Sequence, residues 1–383
     1  MTTACKQKVE LPCGILDIHV DACRMELDQL CGYASRQNRK RSFLFISKVL
    51  GKHWPVRPSK MREVYRMLAA DLADLPGPIL VIGMAETATG FGHGIYDSLL
   101  RLTGREDILF IHTTRYHSSK RPAFDFQEVH SHATDHLLYH PETAEGKKIF
   151  STAASLVIAD DEISTGTTAL NLLAAYQNTN PSLREARFVS ITNWLGVERD
   201  RELREAAAPV SLDYSQILRG TFTFTATPGF TIDEEIDVRG TTEHKDRFFS
   251  ANWGRFGVTG LPAIDFPALL ADFDVTPDDR ILVLGSGEFS YPPFLLAEYL
   301  EERGYDVRFQ STTRSPIMIG NEVQTRLRFI DNYGDGIANF VYNVRQEDYT
   351  RIIICYENPV LPEEHRLPAM LDAHVLHLTG GVK

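Results

Sequence analysis

The sequence predicts an α/β protein, an open and mostly parallel sheet followed by a second α/β unit. Three observations carry this. Short unbroken apolar runs recur, a turn with Gly or Thr follows them, and a helical pattern comes next. The runs in the first part are Ile79-Leu80-Val81-Ile82, Ile108-Leu109-Phe110-Ile111, Leu156-Val157-Ile158-Ala159 and Arg187-Phe188-Val189-Ser190-Ile191. Unbroken runs, rather than alternation, suit parallel strands covered on both faces. Helical stretches over 90–102 and 165–176 supply the crossovers. In such sheets ligands sit at the carboxyl ends of the strands.

From 221 to 260 the texture changes to Thr, Gly, Asp and Glu with scattered aromatics, including Phe248-Phe249 and Trp253-Gly254-Arg255-Phe256-Gly257, and reads as a partly β-structured connector. A second α/β block begins at Ile281-Leu282-Val283-Leu284, continues through a helical stretch at 293–303, and carries further strands near 306–310 and 351–355. The expected organisation is one domain over 1–220, a connector over 221–260 and a second domain over 261–383.

At 383 residues the chain is too long for one ordinary core. Its 43% hydrophobic and 24% charged residues describe a globular protein. The start, Met1-Thr2-Thr3-Ala4-Cys5-Lys6, has no charged segment leading into an apolar one, and no run reaches the ~18 apolar residues of a membrane span. A cytoplasmic protein without membrane contact is expected. The five cysteines include no C-x-x-C pair and read as free thiols. The net charge of −11 argues against a broad nucleic-acid surface. One basic cluster, Arg36, Arg39, Lys40, Arg41, Lys48, Lys52, Arg57 and Lys60, surrounds Phe43-Leu44-Phe45-Ile46. It reads either as a solvated face or as a wall that attracts a small polyanion.

The most informative stretch is Leu156-Val157-Ile158-Ala159-Asp160-Asp161-Glu162-Ile163-Ser164-Thr165-Gly166-Thr167-Thr168. An apolar strand ends in two acids, and a hydroxyl- and Gly-rich turn then opens a helix. Backbone N–H groups at a helix start hold a phosphate monoester, and a glycine lets the backbone approach it. Ser164, Thr165, Gly166, Thr167 and Thr168 form that cradle. Asp160 and Asp161 can accept hydrogen bonds from ribose hydroxyls and hold Mg²⁺, which favours oxygen ligands. A second loop, Gly83-Met84-Ala85-Glu86-Thr87-Ala88-Thr89-Gly90, also runs from a strand into a helix, and its small residues can wrap a diphosphate. Arg115 follows the strand at 108–111 at the same edge.

This pattern resembles the 5-phosphoribosyl-1-pyrophosphate (PRPP) motif of type I phosphoribosyltransferases. Only Glu162 departs from it, standing where that family carries an apolar residue. The wider chain resembles the phosphoribosyltransferase of bacterial tellurite-resistance and stress-response gene clusters. Its Phe43-Leu44-Phe45-Ile46-Ser47-Lys48-Val49-Leu50-Gly51-Lys52-His53 stretch, two phosphate loops, His-Ser-His-Ala-Thr segment and Thr313-Arg314-Ser315-Pro316 motif carry that likeness.

The resemblance implies a Mg²⁺-dependent enzyme that makes or remodels a nucleotide-like metabolite. Asp160 and Asp161 would be catalytic and hold the metal. Glu86, Thr87, Ala88, Thr89, Gly90 and Arg115 would bind pyrophosphate. A lid over 120–145, with His130, His132 and His136, would exclude water. His132 and His136 are spaced i, i+4 but lack the acid of H-E-x-x-H. The expected partners are PRPP and a base or amine that the sequence does not specify, with a homodimer as the assembly. The alternative is a non-catalytic PRPP or nucleotide sensor, which could dispense with the acid pair and lid present here.

The two halves also run in parallel. Val81-Ile82-Gly83-Met84-Ala85-Glu86 leads through a helix to Thr113-Thr114-Arg115, and Val283-Leu284-Gly285-Ser286-Gly287-Glu288 leads through a helix to Thr312-Thr313-Arg314. The second unit reads as a degenerate copy. Its last strand ends in Tyr356-Glu357-Asn358-Pro359, without acids followed by a phosphate cradle. Gly285, Ser286, Gly287 and Arg314 are its expected anion site.

Overall fold

A computed structural model of the chain describes residues 4–38, 41–126, 136–232, 236, 240–378 and 380. The chain starts in an antiparallel hairpin, β1 (Cys5–Leu11) and β2 (Gly14–Cys23), where buried Leu16, Ile18 and Val20 alternate with Asp17, His19 and Asp21. The short α1 (Leu27–Leu30) leads to a second hairpin, β3 (Cys31–Ser35) and β4 (Phe43–Ser47), and then to α2 (Pro58–Ala70), which a proline opens. Next come β5 (Ile79–Gly83), α3 (Thr89–Thr103), β6 (Ile108–His112), and the hairpin of β7 (Pro122–Phe126) and β8 (His136–Tyr139). The first half closes with α4 (Ala144–Thr152), β9 (Ser155–Ala159), β10 (Glu162–Ile163), α5 (Thr167–Thr179), β11 (Glu185–Asn193), α6 (Val197–Ala207) and β12 (Ser211–Ala226). The second half contains α7 (Phe266–Leu269), β13 (Arg280–Gly285), α8 (Tyr291–Glu301), β14 (Asp306–Ser311), β15 (Arg326–Ile330), β16 (Ala338–Tyr342), β17 (Arg351–Tyr356), α9 (Leu367–Leu371) and β18 (His374–His377).

The large sheet has the order β1-β2-β12-β11-β9-β5-β6, with β10 on β11. The four apolar runs of the first half are β5, β6, β9 and β11, all parallel. Residues 79–82 and 108–111 are fully buried, as strands covered on both faces must be. Each such side chain gains about 1.5–3 kcal/mol from leaving water. The β1–β2 hairpin adds an antiparallel edge through β12. Among the described residues no helix is long and apolar enough to cross a membrane, and all five cysteines are free thiols.

The second sheet, β14-β13-β17-β18, is parallel throughout and repeats the order β6-β5-β9-β11. The likeness extends to single hydrogen bonds. Thr113 N donates to Gly83 O at 2.9 Å and Thr312 N to Gly285 O at 3.0 Å. Ala85 N reaches Thr113 Oγ1, and Gly287 N reaches Thr312 Oγ1, both at 2.8 Å. Thr114 bridges Leu137 beside the β7–β8 hairpin, and Thr313 bridges Phe340 of the β15–β16 hairpin.

The halves also exchange arms. Val56 bridges Phe309 at the β14 edge, with Ser311 N bonded to Gly51 O, while Val258 bridges Phe110 at the β6 edge, with His112 N bonded to Gly254 O. Below this crossing α2 packs on α3 and α8. There Arg62 makes a two-pronged contact with Glu298 (both 2.7 Å) and also reaches Asp97. The two units therefore meet through backbone pairing and buried charge.

Candidate functional site

Because β5, β6 and β9 are parallel neighbours, their carboxyl ends fall on one edge and open into a cavity of about 770 Å³. Asp160 and Asp161 follow β9, and both line it. The Asp161 backbone N donates to Asp160 Oδ1 at 2.9 Å, which fixes the Asp160 carboxylate against the turn. Burial, with the Glu162 charge beside it, pushes the Asp161 carboxyl up to about 6. The Lys52 charge acts in the other direction but does not offset burial, and a cation supplied with a ligand would add to it.

Ser164, Thr165, Gly166, Thr167 and Thr168 all line the cavity where α5 begins. Gly166 has φ +68°, a left-handed turn that suits glycine, and a Cβ there would stand 2.5 Å from Leu203 Cδ1. The first bond of this helix runs from Leu170 N to Gly166 O, and Thr167 N donates weakly to Thr165 Oγ1 at 3.4 Å within the same turn. Arg199 on α6 braces the turn through Thr165 O (2.9 Å) and Thr167 Oγ1 (3.1 Å). The sequence offered no signal for Arg199 beyond its place in a charged helix.

The loop after β5 divides in two. Glu86 and Thr87 line the cavity. Ala88, Thr89 and Gly90 turn to the second unit instead: Thr89 Oγ1 donates to Glu288 O at 2.8 Å, and a Cβ at Gly90 would stand 2.3 Å from Ser290 Oγ. Glu86 pairs with Lys52 at 3.0 Å and with Arg314 Nε at 3.5 Å. Burial raises its pKa, yet Lys52 and Arg314 outweigh burial and hold it below the usual carboxylate range. Arg115 lines the same wall. Its N donates to Glu288 Oε1 at 2.7 Å, and its Nη2 lies 3.4 Å from His136 Nε2. His136 also lines the cavity and meets Thr113 Oγ1 at 3.1 Å. His130 and His132 lie outside the described residues.

The second unit supplies the facing wall. Thr313, Arg314, Ser315 and Pro316 line the cavity with Arg36, Gln37, Asn38, Arg41, Phe43, Leu44 and Phe222. The sequence places Arg314 in one anion site with Gly285, Ser286 and Gly287. Those three do not line the cavity; Gly287 O accepts from Lys52 Nζ and Ser311 Oγ, both at 3.0 Å. Glu162, the one departure from the motif, pairs with Arg41 at 2.6 Å and ties the β3–β4 hairpin to the sheet edge. The basic cluster thus splits by task. Arg36 and Arg41 face the cavity, Lys52 serves Glu86, and Lys48 and Arg57 pair with Glu322 and Asp306 of the second unit, each at 3.0 Å.

Among the described residues no group of three or more His, Cys, Asp or Glu side chains could hold a metal alone. The Asp160 and Asp161 pair fits Mg²⁺ in another manner, in which one or two carboxylates hold an ion that keeps waters and takes phosphate oxygens from a ligand.

Residues 30–221 match a family model described as phosphoribosyl transferase, and residues 253–373 match the TRSP domain described as C-terminal to it. No curated protein sequence matches the chain. Among solved structures it is similar to adenine phosphoribosyl transferase from Trypanosoma brucei in complex with AMP, pyrophosphate and ribose-5-phosphate, at 14% identity over 55% of this chain and 86% of that one, with TM-score 0.36. It is also similar to adenine phosphoribosyltransferase from Leishmania donovani (13%, 50% and 77%, 0.34) and to hypoxanthine phosphoribosyltransferase from Trypanosoma cruzi with the product IMP (16%, 45% and 81%, 0.26). With half its length under one family model and a TRSP domain behind it, the chain belongs to the phosphoribosyl transferase family and is a phosphoribosyltransferase.

Proposed function

We propose that the chain moves the 5-phosphoribosyl group between PRPP and a nitrogen of a base or amine, with Mg²⁺ as cofactor. The observation that carries this is the meeting of an acid pair, a helix-start phosphate cradle and the arginines Arg115 and Arg314 in one cavity. Residues 164–168 hold the 5′-phosphate. Asp160 and Asp161 accept from the ribose hydroxyls and steady the positive charge that grows at C1. The C1–oxygen bond breaks, pyrophosphate departs with the bonding pair beside Thr87 and Arg115, and the acceptor nitrogen bonds to C1 and loses a proton. Asp160 and Asp161 would hold Mg²⁺, whose charge offsets that of the pyrophosphate. Phe43 and Phe222, stacked edge to face at 5.4 Å, offer the acceptor an aromatic wall. The resemblance to tellurite- and stress-response proteins supports a nucleotide-like product in such a pathway, in the cytoplasm.

The test is a product screen of the full chain with Mg²⁺, PRPP and a panel of nucleobases and small amines, read by mass spectrometry. Pyrophosphate release coupled to a new nucleotide is the expected result. Absence of PRPP binding would overturn the reading.

A further inference from the structure

Arg314 comes from the second unit, yet its guanidinium stands at the first unit's cavity. Its side chain is 7% exposed, and Nε, Nη1 and Nη2 all lack a hydrogen-bond partner. What holds it is long-range: Glu86 Oε2 at 3.5 Å, Asp335 Oδ2 at 3.9 Å and the Tyr116 ring at 4.8 Å. A buried guanidinium normally spends its planar donors on carboxylate or phosphate oxygens, in pairs. Both carboxylates near Arg314 already have a closer cation, Lys52 on Glu86 at 3.0 Å and Lys245 on Asp335 at 2.7 Å. Arg314 is therefore held by charge and by the Tyr116 ring, and none of its donors is committed to a close paired contact.

Its place in the repeat names the ligand. Arg314 follows β14 as Arg115 follows β6, and each sits across from the glutamate of the other half: Arg115 N on Glu288 Oε1 at 2.7 Å, Arg314 N on Glu86 Oε1 at 3.4 Å. The two arginines reach one cavity from opposite units, and the charges of both act on Glu86. On the reading proposed above, the loop of Glu86 and Thr87 receives pyrophosphate. We infer that Arg314 is a pyrophosphate-binding residue, so that the site is complete only when the second unit is docked. The guanidinium donates to two non-bridging oxygens while Lys52 keeps Glu86 neutralised. No proton leaves the arginine.

The experiment compares wild type with Arg314→Gln and Arg314→Lys in the full chain by calorimetric titration. The probes are inorganic pyrophosphate with Mg²⁺ and, separately, ribose 5-phosphate. Arg314→Gln should weaken pyrophosphate binding about 10- to 100-fold, the loss of paired charged hydrogen bonds, and leave ribose 5-phosphate within about twofold. Arg314→Lys keeps the charge near Glu86 but not the fork, and should recover part of the affinity. Equal loss of both ligands in either variant would make Arg314 a structural residue and overturn the inference, as would unchanged pyrophosphate binding in a folded variant. If Arg314→Gln does not fold, the Arg314→Lys split between the probes decides alone. Wild type that binds ribose 5-phosphate but not pyrophosphate would overturn this inference and spare the cradle; wild type that binds neither would overturn the proposed function and this inference with it.

Discussion

The carboxyl end of β9 and the carboxyl end of β17 occupy the same place in the same strand order, and only one of them is open. After β9 stand Asp160 and Asp161, at the edge of a cavity of about 770 Å³. After β17 stands Glu357, 0% exposed, with Arg255 Nη1 and Nη2 at 3.2 and 3.0 Å and the Tyr333 hydroxyl at 2.7 Å. Arg255, Glu288 and Glu357 leave a void of about 10 Å³ there. Pro359 follows with no N–H, so a phosphate would find no cradle. Topology offers an edge in both units. What the edge becomes depends on whether the chain's own charges fill it, and the same arm that carries Arg255 into the second edge has a counterpart, Gly51-Lys52, that reaches Glu86 and leaves the first edge open.

The comparison breaks most sharply at the acids. Asp160→Asn with Asp161→Asn should lower turnover at least about 10³-fold while the circular dichroism stays native, because the pair lines a cavity and not the core. Retained turnover would remove the distinction between the two edges. The opposite outcome is expected at β17. Glu357→Ala leaves Arg255 buried without its main partner and should destabilise the fold by about 3–5 kcal/mol in urea unfolding. Replacing both, as Arg255→Met with Glu357→Leu, should recover only part of that loss, since Glu288, 3.5 Å from Arg255 Nη2, then loses its arginine. Neither change should act through the cradle at 164–168.

Much of this was legible in the sequence, and for identifiable reasons. The parallel strands announce themselves because a strand buried on both faces has no polar positions, as in residues 79–82 and 156–159. The acid pair and cradle are local, so their spacing survives in one dimension. The β1–β2 hairpin was legible too, in the alternation around Leu16, Ile18 and Val20, but an unbroken-run template passes over it. Pairings across the units were not legible. Nothing near Glu162 says that its partner is Arg41, and nothing near Arg314 says that it reaches Glu86. One trace of the crossing did exist: Gly51-Lys52 and Gly254-Arg255 each stand at the same distance after a serine, Ser47 and Ser250. The region around Arg255, read as a connector, holds that second arm.

A gentler probe acts on the cradle alone. Mg²⁺ with PRPP should raise the melting point of the wild type, since a ligand at 100 times its Kd stabilises by about 2.7 kcal/mol. Gly166→Val should abolish that rise. It also costs about 1–3 kcal/mol of stability, because φ +68° is strained for a branched residue and its Cβ meets Leu203. A rise that persists in a folded Gly166→Val protein would place the phosphate elsewhere. Val at Gly287, which has φ +57° in the second unit, should leave the ligand-induced rise in place.

The smallest expected effect concerns one carboxyl and has opposite signs for stability and for binding. Burial and Glu162 raise Asp161 to about 6, above its ordinary 3.8. The folded chain therefore holds this proton more tightly than the unfolded chain does. Its contribution to stability is complete below about 4, is lost as pH rises through about 6, and leaves a deficit at pH 7. Asp161→Asn removes the charge and should raise the melting point at pH 7.5 by about 1–3 °C, with the gain shrinking at pH 5. Ligand binding runs the other way. Holding Mg²⁺ with PRPP needs the ionised carboxylate, so wild-type affinity should fall as pH drops through about 6, and Asp161→Asn should flatten that dependence at low affinity throughout. Glu357 has Arg255 and Tyr333 on it, and Glu357→Gln should show no such gain at pH 7.5. A melting point for Asp161→Asn below that of the wild type at pH 7.5 would mean that Asp161 is held by the fold as Glu357 is, and the two edges would then differ in size but not in kind.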